Sequence, residues 1–287
     1  MAFRGLENAE FGISMFPTDY SIQPAQMARA VEDRGFDCLF FPEHTHIPAS
    51  RKTPFPGGGE LSKDYWHAHD PFVALSVAAA VTERIKVGTG VCLVIERDPI
   101  TTAKEIASLD MVSNGRAIIG IGAGWNREEM ENHGADYKNR WSVVREKVGA
   151  MRAIWNEEEA EYHGDYVDFD PIWSYPKPIQ EGGPPIWIGA QSKYTVARVA
   201  EYADGWMPIG GLRSAQLEEL RRACDAQERK LEDITLALFG GWPDAEQIKG
   251  RIQQCFDVVI FNVPAAPADE VLPILDNYAE VLKQVKS

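Results

Sequence analysis

The chain contains no run of about 18 apolar residues, so no membrane-spanning helix is predicted. Its opening residues, MAFRGLENAEFG, lack the apolar core of a secretory signal. Cysteine is scarce. Cys38, Cys92, Cys224 and Cys255 lie far apart without a CxxC pair, which argues against a dithiol redox motif and fits free thiols in a reducing cytosol. Positive charge is in short supply too: 29 Lys and Arg against 43 Asp and Glu leave a net charge of -14. An acidic surface repels nucleic acid and anionic membrane, although one local site can still hold a small anion. No repeat, low-complexity tract or charge block interrupts the 287 residues. These absences leave a cytoplasmic protein that works on small molecules.

What the chain does contain is a strand-like run followed by a helix-like run, again and again. Phe11 to Phe16 (FGISMF) reads as a strand. Gln23 to Arg34 follows as a helix stopped by Gly35. Cys38 to Phe41 (CLFF) is the second strand, and Asp70 to Thr82 opens with Asp-Pro, a cap followed by an N1 proline. Ile85 to Val94 is the third strand, Pro99 to Val112 its helix, and Asn114-Gly115 a turn. Ala117 to Ala123 (AIIGIGA) precedes the amphipathic helix Arg140 to Trp155. Four further pairs follow: Pro185 to Ala190 with Ser192 to Ala203, Gly205 to Ile209 with Ser214 to Leu231, Ile234 to Phe239 with Ala245 to Cys255, and Val258 to Phe261 with Pro267 to Val285. Eight such units over residues 1–287 predict one (β/α)8 TIM barrel domain. The strand runs are continuously apolar, as parallel strands covered by helices should be. A doubly wound open sheet is the alternative.

Two long connections interrupt the pattern. One, Glu43 to His69, follows strand two; the other, Glu157 to Pro184, follows helix four. Connections this long are expected to bind or to cover a ligand. The first leaves the C-terminal end of a strand, where barrels place their chemistry. It begins FFPEHTHIP, with His44 and His46 two apart and His67 and His69 farther on. A metal site would need ligands from later strand ends, and strands five to eight supply no histidine, so no metal is expected. His46, His67 and His69 read as loop residues. His44 lies close to its strand, pinned by Pro42, with Glu43 beside it. Such a histidine either serves as general acid or base, or shapes the pocket wall.

Strand three reads VGTGV (87–91) and strand four GIGAGW (120–125). Glycine strand ends let a flat ligand approach the main chain. The acidic residue that a dinucleotide fingerprint requires is not clearly present. Gly189-Ala190-Gln191-Ser192 runs from strand five into a helix, which suits either a plain serine cap or an anion cradle.

Together, Pro42-Glu43-His44, VGTGV, DPITTAKEIASLDMVSNGR (98–116), GIGAGWNREE (120–129), YPKPIQ (175–180), PPIWIGAQS (184–192) and ADGWMP (203–208) resemble the bacterial luciferase-like superfamily, and more closely its coenzyme F420-dependent oxidoreductases. The resemblance is good over residues 10 to 212 and looser beyond. It implies a hydride-transferring enzyme with coenzyme F420, or alternatively a monooxygenase using FMN. A barrel that binds cofactor without catalysis is the non-enzyme alternative. It implies a non-proline cis bond at Gly90–Val91 facing the ring, with His44 near the reacting carbon; Glu43, beside His44, is read from the sequence as its catalytic partner. Gly122 and Gly124 would line the cofactor, and Gly189, Ala190, Gln191 and Ser192 its phosphate. The family often has two glycines where Gln191-Ser192 stand. Trp125 occupies the position of the acidic proton donor of sugar-phosphate dehydrogenases, so Trp125 and Phe16 are expected to wall an apolar or aromatic substrate. Pairing of two copies through helices two and three is expected as well.

Overall fold

The continuous apolar runs become barrel strands in the computed structural model, which describes residues 5–286. β1 (Glu10–Ser14), β2 (Cys38–Phe41), β3 (Lys86–Leu93) and β4 (Ala117–Gly122) form its first half. β5 (Ala160–His163) and β6 (Asp168–Ile172) stand apart as an antiparallel pair. β7 (Ile186–Ile188), β8 (Gly205–Trp206), β9 (Thr235–Phe239) and β10 (Val258–Asn262) complete the ring, which closes between β10 and β1. All eight ring pairings are parallel. The open-sheet alternative is thereby excluded.

The barrel interior is filled. Phe40, Ile118, Trp187, Met207 and Ile260 form its cluster. Two of the strand glycines serve this packing. A Cβ on Gly88 would lie 2.6 Å from the Phe40 ring, and one on Gly120 only 2.2 Å from the Thr89 carbonyl. The larger core lies between the strands and the outer helices.

The outer helices begin where the capping signals stand. α1 is Pro24–Asp33 and the short α2 is Asp64–His67. Asp70 accepts from the Val73 N–H to start α3 (Pro71–Ala80), and Asp98 accepts from the Thr101 N–H to start α4 (Pro99–Ser113). Asn126 caps α5 (Arg127–Asn132), which the sequence reading missed, and α6 (Arg140–Asn156) follows. α7 (Thr195–Tyr202), α8 (Ser214–Ala226), α9 (Ala245–Gln254) and α10 (Ala268–Lys286) close the chain. Two expected helices are shorter than read. α8 stops at Ala226, and Leu231 belongs to a separate turn of 3-10 helix. α7 starts three residues after Ser192, because the buried Thr195 hydroxyl accepts the Ser192 N–H at 3.0 Å and holds that segment in a turn. No helix among the described residues is long and apolar enough to cross a membrane.

The two long connections part company. The first stays at the C-terminal mouth of the barrel and carries α2. The second holds the β5–β6 hairpin, leaves the end of α6 and returns to the start of β7, so it belongs to the opposite end. There Lys177 donates to the Ile154 carbonyl and Asp110 accepts from the Ile179 N–H, fastening it beneath α4 and α6. The expectation that this connection covers the ligand is therefore not met.

Candidate active site

β3 does not run straight into its loop. Its register against β4 slips between Thr89 and Cys92, and the Gly90–Val91 peptide within the slip is cis. The slip turns the Val91 side chain toward its neighbours: a Cβ on Gly122 would lie 2.7 Å from it, and one on Gly189 2.3 Å. The glycines at the ends of β4 and β7 thus make room for Val91. The floor is an isopropyl group framed by glycines, not bare main chain as the glycine pattern suggests.

Above this floor opens a cavity of about 770 Å³. That volume suits a cofactor together with a small substrate. Its wall includes every residue singled out from the sequence: Phe16, Glu43, His44, Gly90, Val91, Gly122, Gly124, Trp125, Gly189, Ala190, Gln191 and Ser192. The loop after β1 brings Phe16, the β2 loop Glu43 and His44, and the ends of β3, β4 and β7 with the segments just after them the rest.

His44 and Glu43, adjacent in sequence, have separate partners. His44 Nδ1 lies 2.8 and 2.9 Å from the two Glu129 oxygens, and Trp125 Nε1 donates to His44 Nε2 at 3.3 Å. Trp125 is a donor only, so Nε2 is the bare nitrogen and Nδ1 carries the hydrogen given to Glu129. Both sides of the His44–Glu129 pair are buried. Glu43 instead accepts from Arg97 Nε at 2.7 Å and from the Leu93 N–H at 2.6 Å. Arg97 also reaches Asp70 and Glu105. Glu43 therefore ties the β2 loop to the end of β3 and the start of α3. Its oxygens are committed away from His44.

Aromatic rings form the roof. Tyr65 of α2 lies 4.7 Å from Phe16, 5.2 Å from His44 and 5.4 Å from Phe55, centroid to centroid, and Phe55 is 5.7 Å from Trp125. Burial and the neighbouring Asp64 carboxylate push the Tyr65 phenol above its usual range, so it stays a neutral hydroxyl. The roof is anchored at both sides. Thr53 donates to Glu128 of α5 at 2.6 Å, and the His69 N–H donates to the Pro17 carbonyl at 2.7 Å. His46 turns outward to Asn132 and Thr45, away from His44.

At the far side of the cavity Arg140 is the cationic wall residue, and its Nε is buried without a partner among the described residues. Gln191 and Ser192 lie on the same wall, but Ser192 is engaged with Thr195 and does not cap α7. Sequence reading missed Glu129, Arg97, Tyr65 and Arg140. Glu129 had one visible signal: it stands three residues after Asn126, the capping spacing that draws the N3 residue inward.

Comparison with known proteins shows the family and the fold. A family model described as luciferase-like monooxygenase matches residues 23–241. An uncharacterised protein of Mycobacterium tuberculosis is 43% identical over 285 residues, which cover 95% of this chain and 98% of that one. The 5,10-methylenetetrahydromethanopterin reductase of Methanopyrus kandleri is 28% identical over 284 residues, covering 91% of this chain and 74% of that one. Among solved structures, an F420-dependent secondary alcohol dehydrogenase in complex with an F420-acetone adduct superposes with a TM-score of 0.76 at 15% identity, over 98% of this chain and 100% of that one.

Proposed function

The chain belongs to the luciferase-like monooxygenase family, whose members are oxidoreductases, and on that premise we propose that it is a coenzyme F420-dependent oxidoreductase moving a hydride to or from a small organic substrate. The observation that carries the reading is the position of His44. It lines the same cavity as Val91 and its flanking glycines, with an unprotonated ring nitrogen held by Trp125 and a buried carboxylate behind it. The deazaflavin, when bound, supplies the hydride chemistry. The residues present suit such a group. A flat ring fits over Val91, and the orphaned Arg140 Nε, with the turn 189–192, suits an anionic side chain.

This chain's own part is the proton. In the oxidising direction a substrate hydroxyl displaces the long Trp125 N–H contact from His44 Nε2, which accepts the hydroxyl proton as the substrate carbon loses the hydride, and Glu129 stabilises the imidazolium through Nδ1. In the reducing direction the same nitrogen returns it. Tyr65, Phe16 and Trp125 exclude water and wall the substrate, favouring an apolar or aromatic molecule. Glu43, engaged with Arg97, is a positioning residue that sets the loop carrying His44.

A flavin mononucleotide-dependent monooxygenase is the second reading, and the monooxygenase description of the matching family favours it. Titration of the purified protein with each cofactor, followed by absorbance, separates the two. The expected result is tighter binding of F420 and reduction of its deazaflavin by an alcohol, or its reoxidation by an unsaturated acceptor. Tighter FMN binding with oxygen-dependent turnover reverses the order.

A further inference from the structure

The cavity wall opposite Val91 carries two neutral polar side chains that the proposed reaction does not use. In the ring order β1-β10-β9-β8-β7-β4-β3-β2, β7 stands four strands from β1, and β4 four strands from β10. Val91, framed by Gly122 at the end of β4 and Gly189 just after β7, therefore faces the ends of β1 and β10 across the barrel. Those ends carry Ser14 and Asn262. The two are register partners in the parallel β1–β10 pair, so their side chains stand side by side on one face. That face is the inner one. Ile260, two residues before Asn262, belongs to the barrel interior, and a Cβ on Gly12, two residues before Ser14, would lie 3.3 Å from the Ile260 side chain. Ser14 and Asn262 both line the cavity, and neither side chain makes a hydrogen bond among the described residues.

We propose that Ser14 and Asn262 are the substrate's second anchor, and that they select molecules bearing a neutral carbonyl group besides the carbon that exchanges the hydride. The proposal rests on the cofactor reading above, with a flat ring over Val91. A substrate on the free face of that ring lies between the ring and this pair. β2 adjoins β1, so His44, which follows β2, stands at the side of the same space. The Ser14 hydroxyl and the Asn262 amide N–H both donate, and one carbonyl oxygen accepts two such bonds. Between the two ends the substrate meets Phe16, Phe239 and Val263, which suit an apolar frame.

Charge argues against an anion at this wall. Glu43 and Asp64 line the cavity, and Arg140, the cation among the lining residues, belongs to α6, which follows β4 on the side of Val91. A carboxylate beside Ser14 and Asn262 would leave water without a countercharge, at a cost that two neutral hydrogen bonds do not return. A substrate lacking the second oxygen would strip water from both groups and replace it with nothing. That asymmetry is how a polar pocket rejects an analogue missing one group.

The test needs neither cofactor nor turnover. The purified protein is titrated with 4-hydroxycyclohexanone and with cyclohexanol. Each has a hydroxyl for His44, and only the first also has a carbonyl for the anchor. The hydroxyketone is the less apolar of the two, so burial alone favours cyclohexanol. The anchor predicts that the hydroxyketone binds about tenfold tighter, the scale of one or two hydrogen bonds. Ser14→Ala and Asn262→Ala should each remove most of that advantage. In 15N NMR of the parent, the side-chain amide of Asn262 should move downfield with the hydroxyketone. Affinities within about twofold of each other, or an advantage that survives in both folded variants, overturn the anchor. An unmoved Asn262 amide overturns it even where the variants do not fold. Absence of turnover with either cofactor would sink the functional reading alone. Where turnover is present, the hydroxyketone should show the lower KM at similar kcat, and Asn262→Ala should raise that KM while leaving the KM for cyclohexanol in place.

Discussion

His44 depends on the tautomer that Trp125 and Glu129 impose from either side of its ring. Glu129→Gln keeps the shape but can present an N–H to Nδ1, which moves the ring hydrogen to Nε2 and removes the base. Turnover should fall by about 10²–10⁴-fold, the usual worth of a positioned acid or base, while cofactor affinity holds. Steady-state kinetics beside a cofactor titration checks this, and full activity would exclude His44 as the proton acceptor. Glu96, which follows β3 with its side chain 1% exposed, makes a prediction about pH. Its folded-state acid lies near 9 against an ordinary 4.5, so the stability it gives is complete below about 4.5 and drains away as pH rises toward 9. One proton sets the slope at no more than about 1.4 kcal/mol per pH unit. Urea unfolding from pH 5 to 9 should show that slope in the parent and lose it in Glu96→Gln. These two carboxylates were hard to read in the sequence for a physical reason. Glu129 lies 85 residues from His44, and only the parallel alignment of β2, β3 and β4 makes them neighbours. His44 itself was legible because the end of a strand fixes where its side chain points. Glu43 was legible as a site residue, but its partner Arg97, 54 positions away, was not.

At the level of elements, the strand ends and capped helices follow local rules, and Asp70-Pro71 and Asp98-Pro99 announce their helices outright. The β5–β6 hairpin escaped because its strands are short and mostly solvent-facing, so no apolar period marks them. Ser192 misled for the opposite reason: it resembles a cap, yet Thr195 captures its N–H and delays α7. The hairpin's position gives a prediction. Shortening it between Glu161 and Asp170 should lower the melting temperature, because Ala160 and Val167 lose their burial, and should leave cofactor affinity unchanged. A weakened cofactor titration would place it nearer the mouth than its connections do. Arg97 joins three elements through Glu43, Asp70 and Glu105. Arg97→Met strands Glu43 in a site where its side chain is 2% exposed. The expected loss is about 3–5 kcal/mol in urea unfolding, and Glu43→Gln in the same chain should recover much of it.

For the whole molecule, eight apolar runs with helices between them were enough to foresee a closed ring, since each parallel crossover leaves little choice of hand or order. What lies outside that ring is less constrained. On α3, Val73 and Val77 are 65% and 42% exposed, and on the adjoining α4, Met111 and Val112 are 45% and 55% exposed. We propose that this apolar surface of α3 and α4 is where a second copy docks, as the resemblance to paired family barrels leads one to expect. In a two-fold pair the same strip meets itself, so each substitution counts twice. Burying a valine side chain is worth about 1.5–3 kcal/mol when complete, and each of these is about half exposed to begin with. Changing Val73 and Val77 together to lysine therefore removes roughly 3–6 kcal/mol of apolar contact from a symmetric pair. That loss raises the dissociation constant by at least about a hundredfold, before the repulsion of four facing ammonium groups is added. Sedimentation of the parent as a dimer, and of Val73→Lys/Val77→Lys as a folded monomer, is the expected result. A parent that sediments as a monomer at every concentration would leave the strip as plain surface.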